Sequence, residues 1–323
     1  MKGKYRIIVE NKNVRYDFEI RRNITIIKGD SATGKTTLVD MISEYEDDGE
    51  ESGIHLVCDV PCHVIDRKNW KNNIQSYNNS IIFIDEGNKF ISSIEFAETV
   101  KGSDNYFVIV TRESLEALPY SIDEIYGIRN SGKYGSLKQI YNEMYKIYTH
   151  TLLENKIKPK LIIVEDSKSG YQFFSSVIND KKTACISADG KSNIYKCLKN
   201  NADKFESILV IADGAAFGSE CDKVMTYVND KNWCHVYLPE SFEWLILKSG
   251  IIKDSQLKDI LEQPYSYIDS IKYVSWERFF TALLIEKAAG TYLEYSKSKL
   301  NDAYVNGIVK ERVLETMRGI NLI

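Results

Sequence analysis

No stretch of this 323-residue chain reaches the roughly 18 consecutive apolar residues of a membrane-spanning helix, so no membrane contact is expected. Neither sign of charge dominates. Lys and Arg number 42 against 46 Asp and Glu, for a net charge of −4. A dedicated nucleic-acid binder usually carries a basic balance or a basic stripe. The average argues against that class and leaves a local patch open. Zinc-ligand spacing is missing too. Of six cysteines, only Cys58 and Cys62 cluster, beside His63, and no second half-site follows. Buried or semi-buried thiols in a reducing cytoplasm are the expectation, and the chain is read as cytoplasmic. No internal repeat or low-complexity segment interrupts it. The opening MKGKYRIIVENKNVRYDFEI alternates apolar and polar residues and reads as strands, not as a leader.

What is present is ordinary globular material, 43% hydrophobic and 27% charged. At roughly 150 residues per domain, the length suggests two domains. Strand-like runs are YRIIVE, RYDFEI, ITIIKG, HLVCDV, IIFIDE and YFVIVTR. Helical patterns start at Lys35 and cover FISSIEFAETV and LKQIYNEMYKIYTHTLL. Strands separated by helices predict a parallel sheet covered on both faces. A second β-α-β-α-β-α-β run begins at KPKLIIVE and continues through TACISAD, SILVIAD and CHVYLPE. After it, SWERFFTALLIEKAAGTYLEYSKSKL and NGIVKERVLETM read as helices. Their aromatics fall at helical spacing and are expected in the core. The boundaries drawn are 1–152, 158–265 and a helical extension over 266–323 packed on the second domain.

The string Gly29-Asp30-Ser31-Ala32-Thr33-Gly34-Lys35-Thr36-Thr37 follows a strand and opens a helix. That context and spacing match a phosphate-binding loop. Backbone N–H groups would wrap the β-phosphate of ATP at the positive end of the helix. Gly29 and Gly34 permit the turn, Lys35 would neutralise the β- and γ-phosphates, and Thr36 would ligate Mg²⁺. The run Ile81–Ile84 ends in Asp85 and Glu86. Asp85 would hold Mg²⁺ through water and Glu86 would polarise the attacking water. Thr111, at the end of YFVIVTR, stands where a polar sensor of the γ-phosphate is expected. Arg112 is either a charge stabiliser or a surface partner of Glu113 or Asp123. The acidic pair favours hydrolysis over phosphoryl transfer to a small molecule. No arginine-rich lid of a kinase is evident.

On GDSATGKT, IIFIDE and the hairpin before them, residues 1–150 resemble a small ABC-type or related P-loop ATPase. No LSGGQ-like string precedes IIFIDE, and SGKYG at 131–135 follows the sensor strand. KLIIVEDSKSGYQFF and SILVIADGAAFG resemble the two blocks of a Toprim domain, a Rossmann-like α/β fold. The resemblance implies carboxylates at the strand ends that hold Mg²⁺ for phosphodiester chemistry. Glu165 matches the family glutamate and Asp213 the first aspartate of its Asp-x-Asp. The second position is Ala215. Asp166, Glu220, Asp222, Glu240 and Glu243 are further carboxylates near the same edge. The other reading of these residues is structural, with Asp166-Ser167 capping a helix and Gly214, Gly218 and Ser219 forming a turn.

The order of domains is similar in plan to the overcoming-lysogenization-defect nucleases and to ATPase–Toprim proteins of phage defence. That likeness implies an ATP- and Mg²⁺-dependent hydrolase governing a nuclease. It also implies a nucleic-acid or protein partner for the second domain, and a homo-oligomer or larger assembly. The alternative is a nucleotide-dependent switch whose second domain is not catalytic.

Overall fold

Three strands, Ile24–Ile27, Ile81–Ile84 and Tyr106–Val110, are almost wholly apolar, and every residue in them is buried. A strand buried on both faces belongs inside a parallel sheet layered between helices. The computed structural model, which describes residues 1–29, 33–132, 139–148, 157–178 and 182–322, places them there. The chain divides into two units, Met1–Thr149 with Gln263–Ser275, and His150–Glu262 with Trp276–Ile323.

In the first unit, β1 (Tyr5–Glu10) and β2 (Val14–Ile20) form a hairpin, and β3 is Ile24–Ile27. Helix α1 (Lys35–Asp48) follows, then β4 (His55–Val57), β5 (Cys62–Val64) and α2 (Trp70–Ser76). Next come β6 (Ile81–Ile84), α3 (Ile94–Lys101), β7 (Tyr106–Val110), β8 (Ile125–Asn130) and β9 (Ile140–Lys146). They make a nine-stranded sheet in the order β4-β1-β2-β9-β8-β3-β7-β6-β5. The stretch β8-β3-β7-β6-β5 is parallel throughout. Helix α1 buries Leu38, Val39, Met41 and Ile42 in a cluster with Ile27, Phe83, Val108 and Val110. Each such side chain contributes about 2 kcal/mol of apolar burial, so the strand ends are held by a stiff core.

Three expectations change in this unit. HLVCDV contributes only His55–Val57, which pairs antiparallel with β1 on the flank. The place beside β6 goes to Cys62–Val64, because Pro61 interrupts the run and restarts it in a new direction. The segment LKQIYNEMYKIYTHTLL is no helix over its described part. Ile140–Lys146 is a strand between β8 and β2. Two open strand edges with unpaired backbone groups outweigh its local helical spacing. Finally, residues 263–275 group with the first unit. There Gly3 N donates to the Tyr265 carbonyl and Asn23 to the Val274 carbonyl.

The second unit runs β10 (Leu161–Val164), α4 (Ser169–Val177), β11 (Ala184–Ser187), α5 (Ile194–Asn201), β12 (Ile208–Ile211), α6 (Gly218–Val228) and β13 (Cys234–Tyr237). These strands form a four-stranded parallel sheet, β11-β10-β12-β13. Helices α7 (Phe242–Lys248), α8 (Leu257–Glu262), α9 (Trp276–Ala288) and α10 (Gly307–Glu315) follow. The helix expected to run to Leu300 ends at Ala288, and Thr291 closes the turn on the Ala288 carbonyl.

Gly214 sits where the backbone after β12 crosses the backbone after β13. A Cβ there would stand 2.7 Å from the Leu238 oxygen and 2.9 Å from the Pro239 oxygen. Neither backbone atom can swing aside. Gly214→Ala is expected to destabilise the protein by about 1–3 kcal/mol, read as a lower urea midpoint; an unchanged midpoint would show that the two segments part easily.

Candidate functional site

Parallel register brings the ends of β3, β7 and β6 level, with Ile27 opposite Val110 and Ile84 opposite Ile109. Beyond these ends lie the residues of interest. Gly29 and Gly34 both have positive φ, at 122° and 89°. Gly34 is doubly required. Tyr16 of β2 donates its hydroxyl to the Gly34 carbonyl at 2.7 Å, and a Cβ on Gly34 would stand 2.7 Å from that hydroxyl. Asn142 of β9 lies on the same spot, bonded to Tyr16. Neither Tyr16 nor Asn142 carries a sequence signal, since both are set there by strand pairing alone.

The Lys35 ammonium folds back over the loop. It donates to the Gly29 carbonyl at 2.9 Å and to the Thr33 hydroxyl at 3.0 Å, and the residue is buried. Thr36 and Thr37 stand exposed in the first turn of α1, where no acidic residue offsets the positive helix end. The geometry offers donors and positive charge to an anion. Asp30, Ser31 and Ala32 lie outside the described residues.

At the end of β6, Asp85 keeps a buried carboxylate oxygen with no hydrogen-bond partner among the described residues. Burial, and then the Asp85 charge, raise the pKa of Asp40 on α1, so Asp85 faces that helix. A carboxylate oxygen of this kind and a threonine hydroxyl such as that of Thr36 are the hard-oxygen donors that Mg²⁺ takes. Glu86 is not free. Its Oε1 accepts from Arg112 Nε at 2.7 Å, on the neighbouring strand end. Arg112 therefore pairs with Glu86, a partner not considered from sequence. The Thr111 hydroxyl is buried and accepts from the Glu113 N–H at 3.0 Å, closing its own turn.

In the second unit, Glu165 and Asp213 end β10 and β12 side by side. The Asp213 N–H donates to Glu165 Oε2 at 2.9 Å, and the Phe242 N–H donates to Asp213 Oδ1 at 3.1 Å. A cavity of about 20 Å³ lies between them, lined also by Asp166, Gly170, Phe174 and Pro239. That is room for roughly one water. Asp166 accepts from the Tyr171 N–H at 2.9 Å, as a helix cap would. Ala215 and Glu220 are buried.

The sequence reading placed Glu243 near this edge but missed Tyr295, Lys297 and Glu277, which close the cluster. Glu243 on α7 is buried, accepts from the Tyr295 hydroxyl at 2.8 Å, and leaves its other oxygen without a hydrogen-bond partner among the described residues. Lys297 donates to Glu277 on α9 at 2.6 Å and lies 3.7 Å from Glu243. Burial works to lower the Lys297 pKa, but Glu243, Glu277 and Asp213 together hold it above its usual value. Burial pushes Glu165 up to about 7, against the opposing Asp213 N–H. Burial and then the Glu277 and Glu165 charges push Asp213 well up. Lysine thus supplies positive charge in this carboxylate cluster. Among the described residues no group of three His, Cys, Asp or Glu side chains is placed to hold a metal ion.

No family model, curated protein or solved structure matches the chain.

A carboxyl group whose folded pKa is raised stabilises the fold below its unfolded value and loses that contribution as pH rises through the folded value. For Glu165 the window is about pH 4.5 to 7. Glu165→Gln keeps the acceptor for the Asp213 N–H and removes the titration. Its stability relative to wild type is expected to rise across that window in urea titrations; a difference independent of pH would contradict the placement.

Proposed function

We propose that this chain is a Mg²⁺-dependent ATPase whose nucleotide state switches a Toprim-like second unit that is itself not catalytic. The observation that carries the first half is the loop at α1. Lys35 lies across it, the first turn of the helix carries no acidic residue, and an Asp85 oxygen without a hydrogen-bond partner among the described residues stands on the level of the same strand ends. On this reading Gly29–Thr37 cradle the phosphates, and the Lys35 ammonium exchanges its loop partners for β- and γ-phosphate oxygens. Thr36 and Asp85 would hold Mg²⁺, which neutralises phosphate charge when bound. Glu86 accepts the proton of the attacking water only after it gives up Arg112. The freed guanidinium is then available to charge developing on the phosphate. Thr111, engaged with Glu113, orients the turn between these groups.

ATP affinity is expected to fall on the order of 10- to 100-fold in Lys35→Ala by calorimetry, the scale of losing a charge-assisted contact. Glu86→Gln should bind ATP normally and turn it over about 10²- to 10⁴-fold more slowly, as loss of a general base requires. Wild-type affinity in Lys35→Ala would refute the assignment.

For the second unit, Lys297 within the acidic cluster, together with Ala215, favours a switch over a nuclease. The nuclease reading rests on Glu165 and Asp213. The two separate in one experiment. Wild-type protein with Mg²⁺ or Mn²⁺ should leave DNA and RNA intact, while ATP shifts its sedimentation and Lys35→Ala abolishes that shift. Metal-dependent cleavage that disappears in Glu165→Ala or Asp213→Ala would establish the nuclease instead.

A further inference from the structure

The connection from β4 to β5 reads Cys58-Asp59-Val60-Pro61-Cys62. Cys62 is buried at the start of β5 and Cys58 is half-buried. The two thiols are in contact, the Val60 backbone bonds Cys58, and the Cys62 thiol donates to the Val60 carbonyl at 3.9 Å. The Cys62 contact draws the Cys58 thiol below its usual pKa despite opposing burial, while the same contact and burial push Cys62 up. A cleft of about 460 Å³, lined by Tyr45, Glu46, Leu56, Cys58, Cys62 and His63 among others, opens on the pair. Other cysteines contrast with it. Burial pushes Cys185 and Cys234 up to about 12 and raises Cys197 as well.

We propose that Cys58 and Cys62 are a peroxide-reactive dithiol, with Cys58 the attacking sulfur and Cys62 the resolving one. The Cys58 thiolate attacks one oxygen of a hydroperoxide and the O–O bond breaks. Sulfur is oxidised by two electrons to the sulfenic acid, and the departing oxygen takes up a proton; from hydrogen peroxide it leaves as water. Cys62 then attacks that sulfur, loses its proton, and expels the sulfenic oxygen as water as the S–S bond forms. Two thiols and one hydrogen peroxide give one disulfide and two waters.

The bond would form next to a clasp on α1. Glu46 of that helix binds His63 Nδ1 at 2.6 Å and accepts from the Val64 N–H at 2.9 Å. His63 in turn stacks on Tyr77, with ring centroids 3.8 Å apart. The chemistry of the pair does not depend on what binds at the other end of α1.

The test treats the full chain with near-stoichiometric hydrogen peroxide and follows each cysteine by mass spectrometry of non-reduced digests. A peptide linked Cys58 to Cys62, lighter by two hydrogens and restored by reductant, is expected. Cys58 should react faster than Cys197, on the order of tenfold at neutral pH from its larger thiolate fraction. In Cys62→Ser the sulfenic acid on Cys58 should persist and be captured by dimedone; in Cys58→Ser, Cys62 should stay reduced. If Cys58 oxidises no faster than Cys197, or its sulfenic acid accumulates in wild type without the 58–62 link, the proposal fails. The wild-type comparison decides the matter even if a variant does not fold.

Discussion

Parallel pairing imposes the constraint on which both units depend. A strand that pairs in parallel with its neighbour cannot be reached by a tight turn, so the chain must return along one face of the sheet. The carboxyl ends of neighbouring strands then come level. In the first unit this aligns the segments that follow Ile27, Val110 and Ile84. In the second it sets Glu165 beside Asp213, because Val164 pairs with Ile211. Groups far apart in the chain converge at these edges because nothing else is chemically free there. The strands themselves are buried and apolar.

The two edges differ in how their charges are met. At the loop before α1 the Lys35 ammonium is held in place and one carboxylate oxygen is left without a hydrogen-bond partner among the described residues. Such an orphan costs free energy unless an incoming group satisfies it. At the edge of the second sheet, Lys297 already stands among the carboxylates, and two backbone N–H groups occupy Glu165 and Asp213. Burial disfavours the charged form of both acids and raises their pKa. Each edge keeps one buried carboxylate oxygen without a hydrogen-bond partner among the described residues, on Asp85 at the first and on Glu243 at the second, but only the second also holds a lysine ammonium 3.7 Å from that carboxylate.

Helix α1 links three features of the first unit. Its amino end carries Lys35 and Thr36, its middle fills the core through Leu38 and Ile42, and its last turns hold Glu46 against His63 and Val64. A helix packed along its whole length transmits a displacement better than a loop does, since close-packed interiors yield little. The Cys58–Cys62 connection lies against that last turn.

The sequence by itself determined much of this. The apolar runs IIFI, YFVIV, LIIV and ILVI had to be buried strands, and the loop from Gly29 to Thr37 had to enter a helix. These are local statements, resting on hydrophobic period and turn chemistry. Tertiary structure decided the rest. Ile140–Lys146 has helical spacing but became a strand because two sheet edges needed partners. Tyr16 meets Gly34, Arg112 meets Glu86, and Lys297 meets Glu243 across separations that no local pattern encodes. Such pairings are chosen by which burial leaves the fewest charges and backbone groups unsatisfied, and that sum exists only once the whole unit has closed.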